Sequence, residues 1–97
     1  MATYVVLANF TDQGIQPIKE LPEWLRHGEQ RLQQAGGKFV AWYATQGPYD
    51  AVAVVAVPNE EPASRLVLAL AREGNVRTTT LKAFAHEEVE RLVSSLP

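Results

Sequence analysis

The chain has 97 residues, of which 46% are hydrophobic and 21% charged, and its formal net charge is −2. That length holds a single hydrophobic core, so we assign residues 1–97 to one domain. The weakly acidic balance argues against the basic surface that follows a phosphate backbone, and we therefore expect no nucleic-acid partner.

Cysteine is absent, which excludes disulfides, thiolate nucleophiles and sulfur-ligated zinc. The first residues lack the basic and apolar regions of a signal peptide. No apolar run approaches the roughly 20 residues of a transmembrane helix. We therefore expect a cytoplasmic protein without a membrane partner.

The first half of the chain begins with a strand. Residues Thr3–Phe10 are β-branched and aromatic, which favours strand. Asp12, in the turn that follows, is a candidate cap for a short helix. Apolar residues spaced three and four apart then predict a helix between Ile18 and Ala35, whose main segment starts near Pro22. Gly36 and the glycine after it end that helix, as a left-handed cap would.

Two β-rich runs follow, with a glycine-proline turn between them. The runs are Lys38–Thr45 and Ala51–Val57, and the turn is Gly47-Pro48-Tyr49-Asp50. This pattern predicts a β-hairpin with a tight turn. Trp42 and Tyr43 are neighbours on the first of these strands, so one faces the helices and the other faces away.

The last third of the chain carries a helix, a strand and a second helix. Asn59 is placed to cap a helix that runs to Glu73, with Gly74 at its exit. Asn75–Phe84 is rich in Val and Thr and predicts the fourth strand. An amphipathic segment follows, with an apolar face formed by Val89, Leu92, Val93 and Leu96.

The order βαββαβ plus a terminal helix predicts an α+β, ferredoxin-like fold with a four-stranded antiparallel sheet. In that plan the first and third strands are central. The third strand is nearly all Val and Ala, which predicts burial on both faces, whereas the two helices cover only one. The open face needs a cover, so we expect a homo-oligomer formed by sheet-to-sheet dimerisation.

Several blocks of the sequence, in order along nearly the whole chain, resemble the GYD-domain family. They are Ala2–Leu7, Asn9–Ile15, Gly47–Asp50 with the Val-rich strand after it, and Gly74–Phe84. Pro48 stands where the family's naming motif commonly has another residue, and it stiffens the turn. The resemblance implies the dimeric α+β barrel type of fold, and it implies no assigned activity.

One group of polar residues is expected to converge. Because neighbouring strands are antiparallel, the end of the first strand lies beside the starts of the third and fourth, which brings Asn9, Asp50 and Arg77 to one edge of the sheet. An aspartate and an arginine with an amide nearby can bind a small polar or anionic ligand. Residues expected to join them are Asp12, Thr45 and Gln46, and the candidate ligand-binding set also includes Tyr43. Alternatively, Asp50 caps the hairpin turn, and Arg77 pairs with Asp50 or with a carboxylate across a subunit boundary.

No other pattern predicts catalysis, a cofactor or a metal. His27 and His86 are the only histidines, and neither has a second histidine three or four residues away, so we expect no metal site. No serine lies in a nucleophile elbow, and no glycine-rich loop opens a helix as a phosphate cradle does. We expect no cofactor.

Three functions fit these observations. The first is a homo-oligomeric module that binds a small molecule or has a structural role. The second is a cofactor-free enzyme that acts on a small organic molecule, as other dimeric α+β barrels do; it rests on fold analogy. The third is a regulatory sensor that binds a metabolite between subunits.

Overall fold

The computed structural model describes residues 1–97 and contains one antiparallel sheet. The strands are β1 (Ala2–Phe10), β2 (Lys38–Ala44), β3 (Ala51–Val57) and β4 (Val76–Ala83), and the helices are α1 (Asp12–Ile15), α2 (Leu21–Gln34), α3 (Glu60–Glu73) and α4 (His86–Ser94). The strand order is β2-β3-β1-β4, so β1 and β3 are central. This arrangement confirms the predicted ferredoxin-like fold.

Helix ends follow the chemistry of a few residues. The Asn59 side chain accepts a hydrogen bond from the Glu61 backbone N–H at 3.0 Å and caps α3, as predicted. Gly74, with φ 77°, ends that helix in the left-handed conformation. The cap of α1 is Thr11, whose hydroxyl accepts from the Gly14 N–H at 3.0 Å. The prediction that Asp12 caps this helix is wrong, because Asp12 is already its first helical residue.

The hydrophobic core lies between the sheet and helices α2 and α3. Alternate residues of the two central strands point to this side and meet one buried leucine from each helix. The buried core residues are Tyr4, Leu32, Val55, Val57, Ala63 and Leu66. Phe39 of β2 packs against the same cluster. A register shift between Phe39 and Ala41 then places Trp42, opposite Ala53, on the helix side and Tyr43, opposite Val52, on the other side.

The other side of the sheet is not covered by either of these helices. We call it the open face and define it by its large side chains, which are Val5, Leu7, Tyr43, Val52, Val54 and Leu81. Tyr43 is 63% exposed and Leu81 48% exposed. Val52 and Val54 stay half-buried, so the predicted burial of β3 on both faces is not reached within the single chain.

The connection between β2 and β3 is a six-residue loop, Thr45–Asp50, rather than the tight turn that the sequence predicted. Hydrogen bonds across its base hold the loop in shape. The Thr45 N–H donates to the Asp50 carbonyl at 2.8 Å, and the Thr45 hydroxyl donates to the Tyr49 carbonyl at 2.6 Å. Gly47 has a φ of 108°, which only glycine adopts without strain. The hairpin is therefore confirmed with a longer connection.

Helix α4 extends away from the body of the molecule. None of its residues is buried, and it does not pack against another element as α2 and α3 do. The radius of gyration is 14.7 Å, compared with about 12.5 Å expected for a compact chain of this length. The molecule measures 52 × 32 × 19 Å, and its smallest dimension fits one layer of helix on one layer of sheet.

Candidate functional site

Asn9 and Arg77 are directly opposite each other on the antiparallel strands β1 and β4. The register places both side chains on the side of the sheet that carries the open face. Arg77 is exposed and has no carboxylate within 4.0 Å. The strand order therefore brings these two residues together as predicted, and it leaves the guanidinium without an ionic partner in the single chain.

Asp50 reaches the same end of the sheet, but its carboxylate has a different partner. It accepts a hydrogen bond from the Phe10 backbone N–H at 2.9 Å. The Asp50 backbone N–H donates to the Ala8 carbonyl at 2.9 Å. These two bonds tie the hairpin loop to the end of β1. The Asp50–Arg77 ion pair is not formed, and the Asp50 carboxylate holds the end of β1 rather than capping the hairpin turn.

The remaining candidates are placed apart from this pair. Thr45 is engaged within its own loop, and Gln46 is exposed beside it. Asp12 is exposed at the start of α1. Tyr43 does lie on the open face, but it stands on the edge strand β2, opposite Val52. Asn9, Arg77 and Tyr43 thus share one side of the sheet and do not form a closed pocket within a single chain.

The open face has the composition of a contact surface. Its centre is aliphatic, since Val5 pairs with Val54 and Leu7 pairs with Val52 across β1 and β3. Polar side chains stand at its edges, with Tyr43 on one side and Arg77 on the other. An apolar centre with a polar rim is typical of protein interfaces, in which tyrosine and arginine are enriched.

Sequence reasoning missed a second surface, a groove between α2 and α3 on the outside of the molecule. The groove has a volume of about 870 Å³ and is lined by Arg31, Leu66, Leu68, Arg65 and Arg72 among others. Arg31 is paired with Glu73 at 2.9 Å, and Arg65 is paired with Glu61. One signal was available in the sequence, because positions 65, 68 and 72 fall on one face of a helix.

A smaller cavity of about 100 Å³ lies beside this groove, where α2 meets the start of β4. Trp24, His27 and Asn75 line it together with the Arg31–Glu73 ion pair. Both charged groups already satisfy each other there, so the pair connects α2 to α3 and leaves no free charge for a ligand.

The titratable side chains do not assemble a metal site. No three His, Cys, Asp or Glu side chains come together in a way that would hold a metal ion. His86 is exposed, and its Nε2 lies 2.9 Å from the Glu90 carboxylate, one helical turn away. None of the helices has both the length and the apolar composition needed to cross a membrane.

Comparisons with known proteins agree with this fold. A family model described as the GYD domain matches residues 4–93. The glutamine synthetase and cystathionine beta-lyase binding protein of Thermus thermophilus is 39% identical over 84 residues, which cover 86% of this chain and 88% of that protein. The crystal structure of TTHA0845 from the same organism superposes with a TM-score of 0.54 and 26% identity, covering 88% of this chain and 95% of that chain. A solved FFRP structure superposes with a TM-score of 0.60 at 16% identity, covering 87% and 100%.

Proposed function

We propose that this chain, which belongs to the GYD-domain family, acts as a homodimeric binding protein whose partner is a metabolic enzyme. The observation that carries the proposal is the open face, an apolar surface on the central strands that no helix of the chain covers. A second copy supplies a matching surface, since two sheets stacked about 10 Å apart bury both open faces. The whole chain, residues 1–97, acts as one domain in this dimer.

The choice of an enzyme as the partner rests on the relative from Thermus thermophilus. That protein is named as a binding protein of glutamine synthetase and cystathionine beta-lyase, and it is 39% identical to this chain. We propose that the protein acts in the cytoplasm, and that glutamine synthetase is the first enzyme to test as its partner.

The dimer is tested by light scattering during size-exclusion chromatography. The wild-type protein is expected at no less than twice the chain mass of 10.7 kDa. Val54→Lys places a charge in the centre of the open face and is expected to raise the dissociation constant of the dimer at least tenfold. Ile15→Lys is the matched control, because Ile15 is an exposed apolar residue of α1 away from the open face. A wild-type protein that runs at the mass of one chain at about 100 μM would contradict the dimer.

Enzyme binding is tested with purified glutamine synthetase and purified cystathionine beta-lyase from the source organism of the chain. Isothermal titration is expected to give a dissociation constant of about 10 μM or tighter, equal to a binding free energy of about −7 kcal/mol. Bovine serum albumin is the negative control. No heat and no co-elution with either enzyme at about 100 μM would contradict the enzyme as partner and would leave the dimer unaffected.

A second candidate function is the binding of a small anion between the two sheets. It is favoured by Arg77, whose guanidinium lies on the side of the sheet that the dimer encloses and has no carboxylate near it. An enclosed charge without a counter-charge is costly, so a ligand anion or a carboxylate of the second copy would stabilise the dimer there. Asn9, directly opposite Arg77, can donate an amide hydrogen bond to the same anion. A metabolite sensor and a cofactor-free enzyme would both use this position.

A further inference from the structure

Helix α4 presents an apolar stripe that nothing in the single chain covers. Its apolar residues fall on one side of the helix and are 45% to 58% exposed; they are Val89, Leu92 and Val93. Leu96, just past the end of the helix, is 69% exposed. On a helical projection Glu88 borders one side of this stripe and Glu90 borders the other. The stripe is therefore an apolar contact surface edged by negative charge.

The groove between α2 and α3 has the opposite character. Leu68 of α3 is 68% exposed and lines the groove together with Pro62 and Ala69. Arg65 and Arg72 lie one turn before and one turn after it on the same helix face, and Arg31 of α2, which is paired with Glu73, lies across the groove. Arg72 has no carboxylate within 4.0 Å. The groove is therefore an apolar contact surface edged by positive charge.

We propose that α4 of one copy docks in the α2–α3 groove of a second copy, and that the contact is reciprocal. Leu92 and Val93 then cover the groove around Leu68, while Glu88 and Glu90 lie near Arg65 and Arg72. The existing Arg65–Glu61 and His86–Glu90 pairs are exposed, so exchanging them for contacts between copies costs little. This contact is separate from the open face and does not depend on the proposed function.

A second copy fits these observations better than the same chain does. Only Phe84 and Ala85 connect β4 to α4, and two residues span about 7 Å at full extension. α3 packs against β4, so the groove, which lies between α3 and α2, is on the far side of α3 from the strand that carries α4.

A charge exchange between two variants tests the contact. In one variant Glu88 and Glu90 are replaced by Arg, and in the other Arg65 and Arg72 are replaced by Glu. In either variant alone, α4 and the groove carry the same sign of charge. When the two variants are mixed, both α4–groove contacts of the mixed pair become complementary. We expect the dissociation constant between copies to be at least tenfold higher for each variant alone than for the wild type. We expect the mixture of the two variants to return to the wild-type value.

A cross-link reports on this contact separately from the open face. The chain has no cysteine, so a Val93→Cys chain mixed with a tagged Leu68→Cys chain can form only the disulfides that these changes introduce. We expect the mixed disulfide to form at least tenfold faster than with a Gln46→Cys chain, because Gln46 is exposed and lies in the β2–β3 loop, away from the groove. Circular dichroism checks that every variant is folded.

Two results would overturn the inference. One is an equal rate of disulfide formation with Leu68→Cys and Gln46→Cys. The other concerns a single chain that carries all four charge changes. If this chain associates as the wild type does while the mixture of the two variants does not, α4 docks within its own chain. Suppose that one of these two results is found, while the wild-type protein has the mass of a dimer and Val54→Lys still weakens that dimer. The α4 contact is then wrong, and the open-face dimer is supported.

Discussion

The Asp50 carboxylate accepts a hydrogen bond from the Phe10 backbone N–H at 2.9 Å, across 40 positions of sequence. Phe10 is the last residue of β1, and Asp50 directly precedes β3. The bond therefore closes the end of the central strand pair, where the regular ladder stops. Because of this bond, the Asp50 carboxylate stabilises the fold, although its charge suggested a role in ligand binding.

Replacing Asp50 by Ala is expected to destabilise the protein by about 1–3 kcal/mol, because the partly buried Phe10 N–H loses its acceptor. Urea unfolding followed by circular dichroism measures the change. Asp12→Ala is the control, since Asp12 is the only other aspartate and is exposed; its effect should stay within about 1 kcal/mol. Equal effects of the two substitutions would show that the Asp50–Phe10 bond contributes nothing specific.

Gly14→Ala is expected to be more disruptive than Gly47→Ala. A Cβ at Gly14 would lie 1.9 Å from the Asn75 backbone oxygen, so α1 would have to move away from the α3–β4 connection. A Cβ at Gly47 meets nothing within 4 Å, and the cost there is only that of a φ of 108°. We expect the free energy of unfolding to fall by about 1–2 kcal/mol for Gly47→Ala and by more than about 3 kcal/mol for Gly14→Ala. Urea unfolding curves measure both changes. A Gly14→Ala protein as stable as Gly47→Ala would contradict the close packing of α1.

The elements were predictable because each has a local cause. The spacing of Leu25, Leu32 and their neighbours predicts a helix, and Asn59 and Gly74 mark the ends of the next one without reference to the rest of the chain. Strand order followed from the sequence of elements, which is why Asn9 and Arg77 were correctly placed at one edge of the sheet.

The partners of individual side chains were not predictable in the same way. Strand order brings Asp50 near both Arg77 and the Phe10 N–H, and the six-residue loop decides between them by directing the carboxylate over the end of β1. Likewise, Arg31 and Arg72 share a groove only because α2 and α3 pack side by side. Hydrophobic periodicity shows which face of a helix is buried, but it does not show which helix lies beside it.

Thr80→Val is expected to stabilise the protein. The Thr80 hydroxyl is buried on β4 and has no hydrogen-bond partner, and valine has nearly the same shape without the polar atom. We expect a gain of about 0.5–1.5 kcal/mol in the free energy of unfolding. Thr78→Val is the matched control, two residues away on the same side of the strand. A loss of stability on Thr80→Val would show that the hydroxyl has a partner, such as an ordered water, that the replacement removes.

Arg77→Met is expected to leave the stability of the protein within about 0.5 kcal/mol of the wild type, because Arg77 is exposed and has no ion pair to lose. Its effect on anion binding should be large if the guanidinium holds a ligand. A ligand present at 100 times its dissociation constant stabilises the folded protein by about 2.7 kcal/mol. Thermal unfolding in inorganic phosphate and in succinate, at constant ionic strength, is therefore expected to shift upward for the wild type and not for Arg77→Met. Arg26→Met, which removes an exposed arginine of α2, serves as the control and should keep the shift. The same shift in Arg77→Met as in the wild type would show that Arg77 does not bind the anion, and it would leave the open face as a contact surface alone.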